Sequence, residues 1–321
     1  MRPVRTTVVA ALTALGIGLV GFAPASGSMP PSDHASCGEP RWMVHLGWAC
    51  PIDSGGFEVI LPDGSTYVTH GGDPVPAHSR RHIEAGSKNP ECADARSEFH
   101  SQVIYVHPAD QPSRFGQLLP DVRAMVKLAN GLVFSDARDF GRKRKIRVAC
   151  VGGEMQVLQA QLPTVNEDSN VWTVVWDLRA QGFTSPLAKY WIFYDGRPPN
   201  APAGTALGRR GDDGADPDNP HNIGPDYAVT WGLGVRSGGA ATMLHELGHT
   251  LGAVQNAAPN SSGAGHCNDG HDIMCYDDSG PFADYSRDRC REVAFDCGHD
   301  DYFHPKPGKK NYLRRAWNLG S

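Results

Sequence analysis

The segment His245-Glu246-Leu247-Gly248-His249-Thr250-Leu251-Gly252 decides how the rest of this 321-residue chain is read. Ala240, Leu244, Leu247 and Leu251 recur at helical spacing and give an apolar stripe that can dock on a sheet. His245 and His249 lie four residues apart, so they project from neighbouring positions on another face and can grip one metal ion. Glu246 is rotated by one residue, close enough to reach a water on that metal without filling a ligand position. Gly252 follows where the helix must end and the chain double back. The pattern is H-E-x-x-H. In such a site zinc lowers the pKa of its water to about 7, and the glutamate takes and returns the proton. An ordinary helix with two surface histidines gives the same string, so the motif is weighed with its surroundings.

The first residues read as an export signal. Arg2 and Arg5 supply the positive end, residues 8–22 are apolar, and Ala23-Pro24-Ala25 offers a small-x-small cleavage site, so 1–25 is expected to be a signal peptide. The apolar run is shorter than the about 20 residues a spanning helix needs, and no later stretch replaces it. A secreted, extracellular protein without stable membrane insertion is expected. The eight cysteines all follow residue 25, their number is even, and no C-x-x-C pair occurs. Structural disulfides, with nearest neighbours paired, are expected rather than a thiolate metal cluster. The net charge of −5 becomes more negative once Arg2 and Arg5 leave with the signal, which argues against nucleic acid as a partner. The basic run at 142–147 reads as a solvated strand edge.

Residues 26–36 are rich in Pro, Ser and Gly and read as a disordered lead-in. Residues 57–61 and 66–69, joined across Asp63-Gly64, form a predicted hairpin. Residues 71–98 read as a linker or irregular covering layer. A β-rich N-terminal region, propeptide or linker thus spans 26–98, and a catalytic domain spans 99–321. In that domain strands are predicted at 103–106, 145–151 and 190–194, and helices at 116–130 and 171–180. A long loop follows at 198–226, and an edge strand at 227–231. This order describes an α+β sandwich with a mixed sheet.

The string at 245–252, with Ile273-Met274-Cys275-Tyr276 downstream, resembles the zinc helix and Met-turn of the metzincin metalloproteases. The phrase from Gly265-His266-Cys267-Asn268 to Tyr276 is also similar to secreted metalloprotease-like proteins of actinobacteria. The resemblance implies a sheet above the cleft, a zinc helix along it, and an irregular C-terminal subdomain below. It also implies Zn2+ as cofactor, Met274 as an apolar floor, and Tyr276 as a donor to the oxyanion, beside Glu246 as the catalytic base. The family places a His or Asp three residues after the glycine, where this chain has Gln255. An amide is a poor zinc ligand, so His266 is preferred as the third metal ligand beside His245 and His249. Gln255, Asp269 and Asp272 stay open as alternatives. A Cys267–Cys275 disulfide would anchor His266 beside the Met-turn.

The expected function is therefore that of a secreted zinc endopeptidase. It would take a peptide or protein substrate along the edge strand at 227–231. The rivals are a non-catalytic exported binding protein and a zinc amidase acting on cell-wall peptides. Ca2+ is a further candidate cofactor, at Asp212, Asp213, Asp216, Asp218 and Asp226 or at Asp296, Asp300 and Asp301, although neither spacing is that of an EF-hand. Cys37 faintly resembles the cysteine switch of latent metzincins, but a disulfide is its expected state.

Overall fold

The computed structural model describes residues 40–53, 55–74, 87–139, 141–208, 223–232, 236–256, 258–268, 272–276, 278, 293–299, 301–303 and 319–320, with backbone alone at 236–238 and 319–320. The expected signal peptide, the lead-in at 26–36, Cys37, Asp212, Asp213, Asp216, Asp218, Asp269 and Asp300 lie outside these residues.

Strands β1 (Arg41–Met43), β2 (Gly47–Pro51), β3 (Phe57–Ile60) and β4 (Thr66–Thr69) form an antiparallel meander in chain order. The predicted hairpin is β3–β4, paired from Phe57↔Thr69 to Ile60↔Thr66. Its turn follows from its residues: Gly64 takes a φ of 78°, and the Ser65 amide donates to Asp63 Oδ1 at 3.0 Å.

The remaining elements are β5 (Glu91–Ala93), β6 (His100–His107), α1 (Phe115–Asp139), β7 (Lys145–Val151), β8 (Glu154–Met155), β9 (Val157–Gln161) and α2 (Val171–Ala180). They continue through β10 (Ala188–Tyr194), β11 (Gly204–Leu207), β12 (Asp226–Trp231), α3 (Arg236–Leu251) and β13 (Leu319–Gly320). The strands build one nine-stranded mixed sheet in the order β11-β12-β10-β6-β7-β13, with β5 and β8 also on β7 and β9 on β6. The central β12, β10 and β6 are parallel, whereas β11 runs antiparallel to β12 at the sheet's end.

Both faces of the sheet are covered, so every residue of β6, β10 and β12 is buried. Alternate side chains then feed two cores. Trp191 and Phe193 pack with Val122 and Val126 of α1 and with Leu244 and Leu247 of α3. Tyr190, Ile192 and Tyr194 pack with Val174 and Leu178 of α2, together with Leu61 and Tyr67 of the N-terminal meander. Helix α2 starts at Asn170, whose side chain accepts from the Thr173 amide in a capping box. The Trp191 indole donates to the Met243 carbonyl at 2.8 Å and pins α3 to the sheet.

The sheet edge differs from expectation. The strand over 226–231 is internal, flanked by β10 and β11, and the edge is β11, inside the stretch read as a loop. The run Tyr-Ala-Val-Thr-Trp lacks polar alternation because both its faces are buried. The Gly-Thr-Ala-Leu of β11 is too short, and too poor in branched residues, to stand out between its Pro- and Gly-rich flanks. Residues 91–93, read as linker, pair with β7.

Disulfides join Cys92 to Cys150 and Cys267 to Cys275, both nearest-neighbour pairs. Cys50 and Cys297 are also disulfide-bonded. Among the described residues no cysteine is free, and no helix is long and apolar enough to cross a membrane.

Lys189 and Asp226 open β10 and β12 as register partners and pair as buried ions, 1% and 0% exposed. Removing one partner leaves a buried charge uncompensated. Asp226→Ala is expected to lower stability by about 3–5 kcal/mol, read from the urea midpoint. An unchanged midpoint would show that the pair contributes little.

Candidate metal centre

Helix α3 closes at Leu251 in a Schellman arrangement. The Ala253 amide donates to the Gly248 carbonyl at 3.0 Å, the Gly252 amide to the His249 carbonyl at 3.1 Å, and Gly252 takes a φ of 86°. This sharp stop turns the chain so that the segment after it returns across the histidine face of α3. The Cys267–Cys275 disulfide cross-links the returning segment beside His266. Met274 is buried beneath α3, where a Cβ on Gly248 would come within 2.4 Å of its sulfur.

His245, His249 and His266 converge. The Nε2 atoms of His245 and His249 are 3.1 Å apart, and the His266 ring lies 5.2 Å and 5.1 Å from theirs, centre to centre. Second partners fix which nitrogen faces inward. His245 Nδ1–H donates to the Ile273 carbonyl at 2.7 Å, and His266 Nδ1–H donates to Asp278 Oδ2 at 2.8 Å. The lone pairs of both rings therefore sit on Nε2, the arrangement that outer partners impose on metal-ligating histidines. Two imidazole nitrogens at 3.1 Å repel unless a proton or cation lies between them. Nitrogens at about 2.0–2.1 Å from one tetrahedral zinc would be about 3.3 Å apart. The spacing of this pair thus suits two ligands of one cation.

Residues of the N-terminal meander's exit close the site from above. Asp73 sends Oδ1 to within 3.2 Å of His266 Nε2 and Oδ2 to within 3.5 Å and 3.9 Å of His245 and His249 Nε2, and it accepts from the Tyr276 hydroxyl. The His70 ring lies 4.1 Å from His249, tilted at 42°, and 4.5 Å from His266, edge-on at 67°, centre to centre. Two groups of metal-competent side chains result: His70, Asp73, His249 and His266, and Asp73, His245 and Glu246. The Glu246 carboxyl is fully buried, and neither of its oxygens has a hydrogen-bond partner. It faces β11, where a Cβ on Gly204 would lie 2.0 Å from Oε1.

The electrostatics match this crowding. Burial, followed by the Asp73 carboxylate, holds the Glu246 carboxyl well above the usual range. Burial pushes His249 well down and His70 down to about 3, with neighbouring imidazoles adding to the effect. Burial opposes the charge on Asp73, but His70 and His245 outweigh it and hold the carboxyl well below its ordinary range. For His266 burial is likewise outweighed, by hydrogen bonds to Asp278 and Asp73 that raise it. Burial and the Asp73 carboxylate raise the Tyr276 hydroxyl.

All five residues singled out from the sequence, His245, Glu246, His249, His266 and Tyr276, stand in this cluster. Of the alternatives for the third ligand, Gln255 donates its amide nitrogen to the Gly252 carbonyl at 3.4 Å, while its oxygen is buried without a hydrogen-bond partner. Asp272 accepts from the Cys297 amide at 2.5 Å and groups with Cys267, Cys275 and Asp301, two of which are spent on a disulfide. Of the residues considered for calcium, Asp296 accepts from the Tyr302 and Phe303 amides and Asp301 from the Asn260 side chain. Asp226 is committed to Lys189. His70, Asp73 and Asp278 were not legible as site residues. The sole sequence signal was a His and an Asp flanking Gly71-Gly72 just after the hairpin.

No protein-family model and no curated protein matches the chain. Among solved structures, wild-type OgpA from Akkermansia muciniphila is similar at 14% identity in two crystal forms. The first covers 73% of this chain and 70% of that one with a TM-score of 0.31, and the second 69% and 66% with a TM-score of 0.33. Catalytically inactive OgpA in complex with an O-glycopeptide substrate, glycodrosocin, is similar at 13% identity and a TM-score of 0.29, covering 57% and 53%. At these TM-scores the likeness carries no weight for the chemistry, which rests on the residues themselves.

The contact of Gly204 with Glu246 yields a test. Gly204→Ala places a methyl against the buried carboxyl and is expected to cost about 1–3 kcal/mol, as overpacking does. Glu246→Ala should relieve that cost in the double variant, measured as a double-mutant cycle in urea. Strictly additive effects would contradict the packing described.

Proposed function

We propose that the protein is an exported zinc-dependent endopeptidase of metzincin type. The observation carrying this reading is the convergence of three imidazoles on a buried point next to an unpartnered carboxyl and the end strand of a sheet. Zinc held by His245, His249 and His266 would polarise a carbonyl and acidify a water. Glu246, kept basic by burial, takes a proton from the attacking water and returns it to the leaving amine. In this reading the Tyr276 hydroxyl, which donates to Asp73 in the structure, would donate to the developing oxyanion instead. An extended peptide would pair along β11, whose outer edge is bonded by Val68 at Gly208 and by Asp73 at Gly204 in the structure. The disulfides and the lack of a spanning helix among the described residues agree with export.

The full chain is expected to hold one zinc. His266→Ala should weaken zinc binding at least tenfold, whereas Gln255→Ala should leave it unchanged. Glu246→Gln should keep zinc and abolish chelator-sensitive hydrolysis of casein. Zinc kept by His266→Ala but lost from Gln255→Ala would overturn the ligand set. Near-normal hydrolysis by Glu246→Gln would overturn its role. Hydrolysis of cell-wall peptides but not casein would favour an amidase. Tight zinc with no hydrolysis of either would favour a binding protein.

A further inference from the structure

A cavity of about 640 Å³ opens beside the start of α2, with no residue of α3 in its walls. That is room enough for a small ligand or an anchoring side chain. Its walls come from Trp42 of β1, Val44 of the turn into β2, Val165 and Trp172 at the approach to α2, and Pro198 and Pro199 beyond β10. Among the described residues five large apolar side chains are exposed, and three of them stand round this one cavity: Trp42 at 44%, Val44 at 70% and Val165 at 37%. Single exposed apolar residues need no explanation, but a concave group of them marks a place where something binds.

The aromatic wall is set before anything arrives. Trp42 and Trp48 are register partners on β1 and β2, and their rings meet edge to face at 6.0 Å. Trp172 meets Trp42 in the same manner at 5.8 Å, and its indole N–H is held by the Ile60 carbonyl at 2.7 Å.

The polar groups of the rim narrow the ligand. The Thr164 hydroxyl donates to Asp177, and that of Ser169 donates to the Val165 carbonyl and accepts from Tyr194. The Asn170 and Thr173 side-chain oxygens are taken up by the capping box. A neutral hydroxylated ligand would therefore find few partners. What remains is His45 and the carboxylates of Glu167 and Asp168, both residues being exposed. No described lysine or arginine lines the cavity, and Arg197, next to Pro198, sets its guanidinium by Gly232. Uncompensated carboxylates beside an exposed indole suit an organic cation, which draws on both the charge and the ring face. Pro199 lies five residues before Gly204, where β11 begins. At most about 18 Å of extended chain thus separates the cavity from the strand assigned to the peptide.

We propose that this cavity is a docking site for a lysine or arginine side chain of the polypeptide substrate, engaged outside the cleft. Its use by substrate rests on the peptidase reading, whereas recognition of the cation does not.

The probe is a BODIPY-labelled pentapeptide with a central arginine between alanines, compared with its citrulline counterpart. Both are titrated by anisotropy against the full chain carrying Glu246→Gln, so that neither is cut. The arginine peptide should bind about fivefold or more tightly than the citrulline peptide. Trp42→Ala should erase that preference, and so should the paired change Glu167→Gln with Asp168→Asn, which alters only exposed side chains. Glu154→Gln, an exposed acid outside the cavity, should leave it intact. On the otherwise unaltered chain, Trp42→Ala should raise the KM for casein about fivefold and keep kcat. No preference for arginine would overturn the proposal, and so would an equal loss in Glu154→Gln, which would mean diffuse attraction to an acidic surface. Binding of chitotetraose without any arginine preference would make the cavity a saccharide site and overturn it too. An intact preference with an unchanged KM would remove the substrate from the cavity. If the parent hydrolyses nothing, the peptidase reading fails by itself, and the arginine preference still decides whether the cavity takes a cation.

Discussion

Imidazoles from α3 and from the segment returning after it crowd around the buried Asp73 carboxylate, with Glu246 beside them, and the rest of the structure holds them there. The Nε2 atoms of His245 and His249 face each other across 3.1 Å, and Glu246 and Asp73 bring two acids into the same water-poor space. Such a cluster is costly unless a cation balances it. A metal bound by the folded chain alone would stabilise the fold as well.

Each framework element answers to this demand. The sheet anchors α3 through Trp191, so the two helix histidines are set by a rigid body. The Schellman stop at Gly252 and the Cys267–Cys275 disulfide return His266 to the same point from a segment without regular secondary structure. Carbonyl and carboxylate partners orient two of the three rings, and Met274 closes the floor beneath α3. The N-terminal meander has two roles: it completes a core with α2, and it delivers His70 and Asp73 to the rim.

What the sequence made legible follows from how local the signals are. Helix α3, its glycine stop, the β3–β4 hairpin and α2 are written in short-range spacing, and the structure places them where that spacing put them. His266 could be preferred over Gln255 because ligand chemistry and a nearby cysteine pair pointed the same way. The true edge strand could not be found, since strand order is a long-range property and β11 is only four residues of Gly, Thr, Ala and Leu. Asp73 was hidden for the same reason. It lies more than a hundred and fifty residues before α3, in a Gly-rich stretch whose pairing with β11 leaves no periodic trace.

The most direct measurement is an anomalous-diffraction map at the zinc edge from crystals of the purified chain. The account predicts one strong peak at about 2.0–2.1 Å from the Nε2 atoms of His245, His249 and His266 together. Absence of a peak there, or a peak bound by the two helix histidines with His266 left outside, would contradict it.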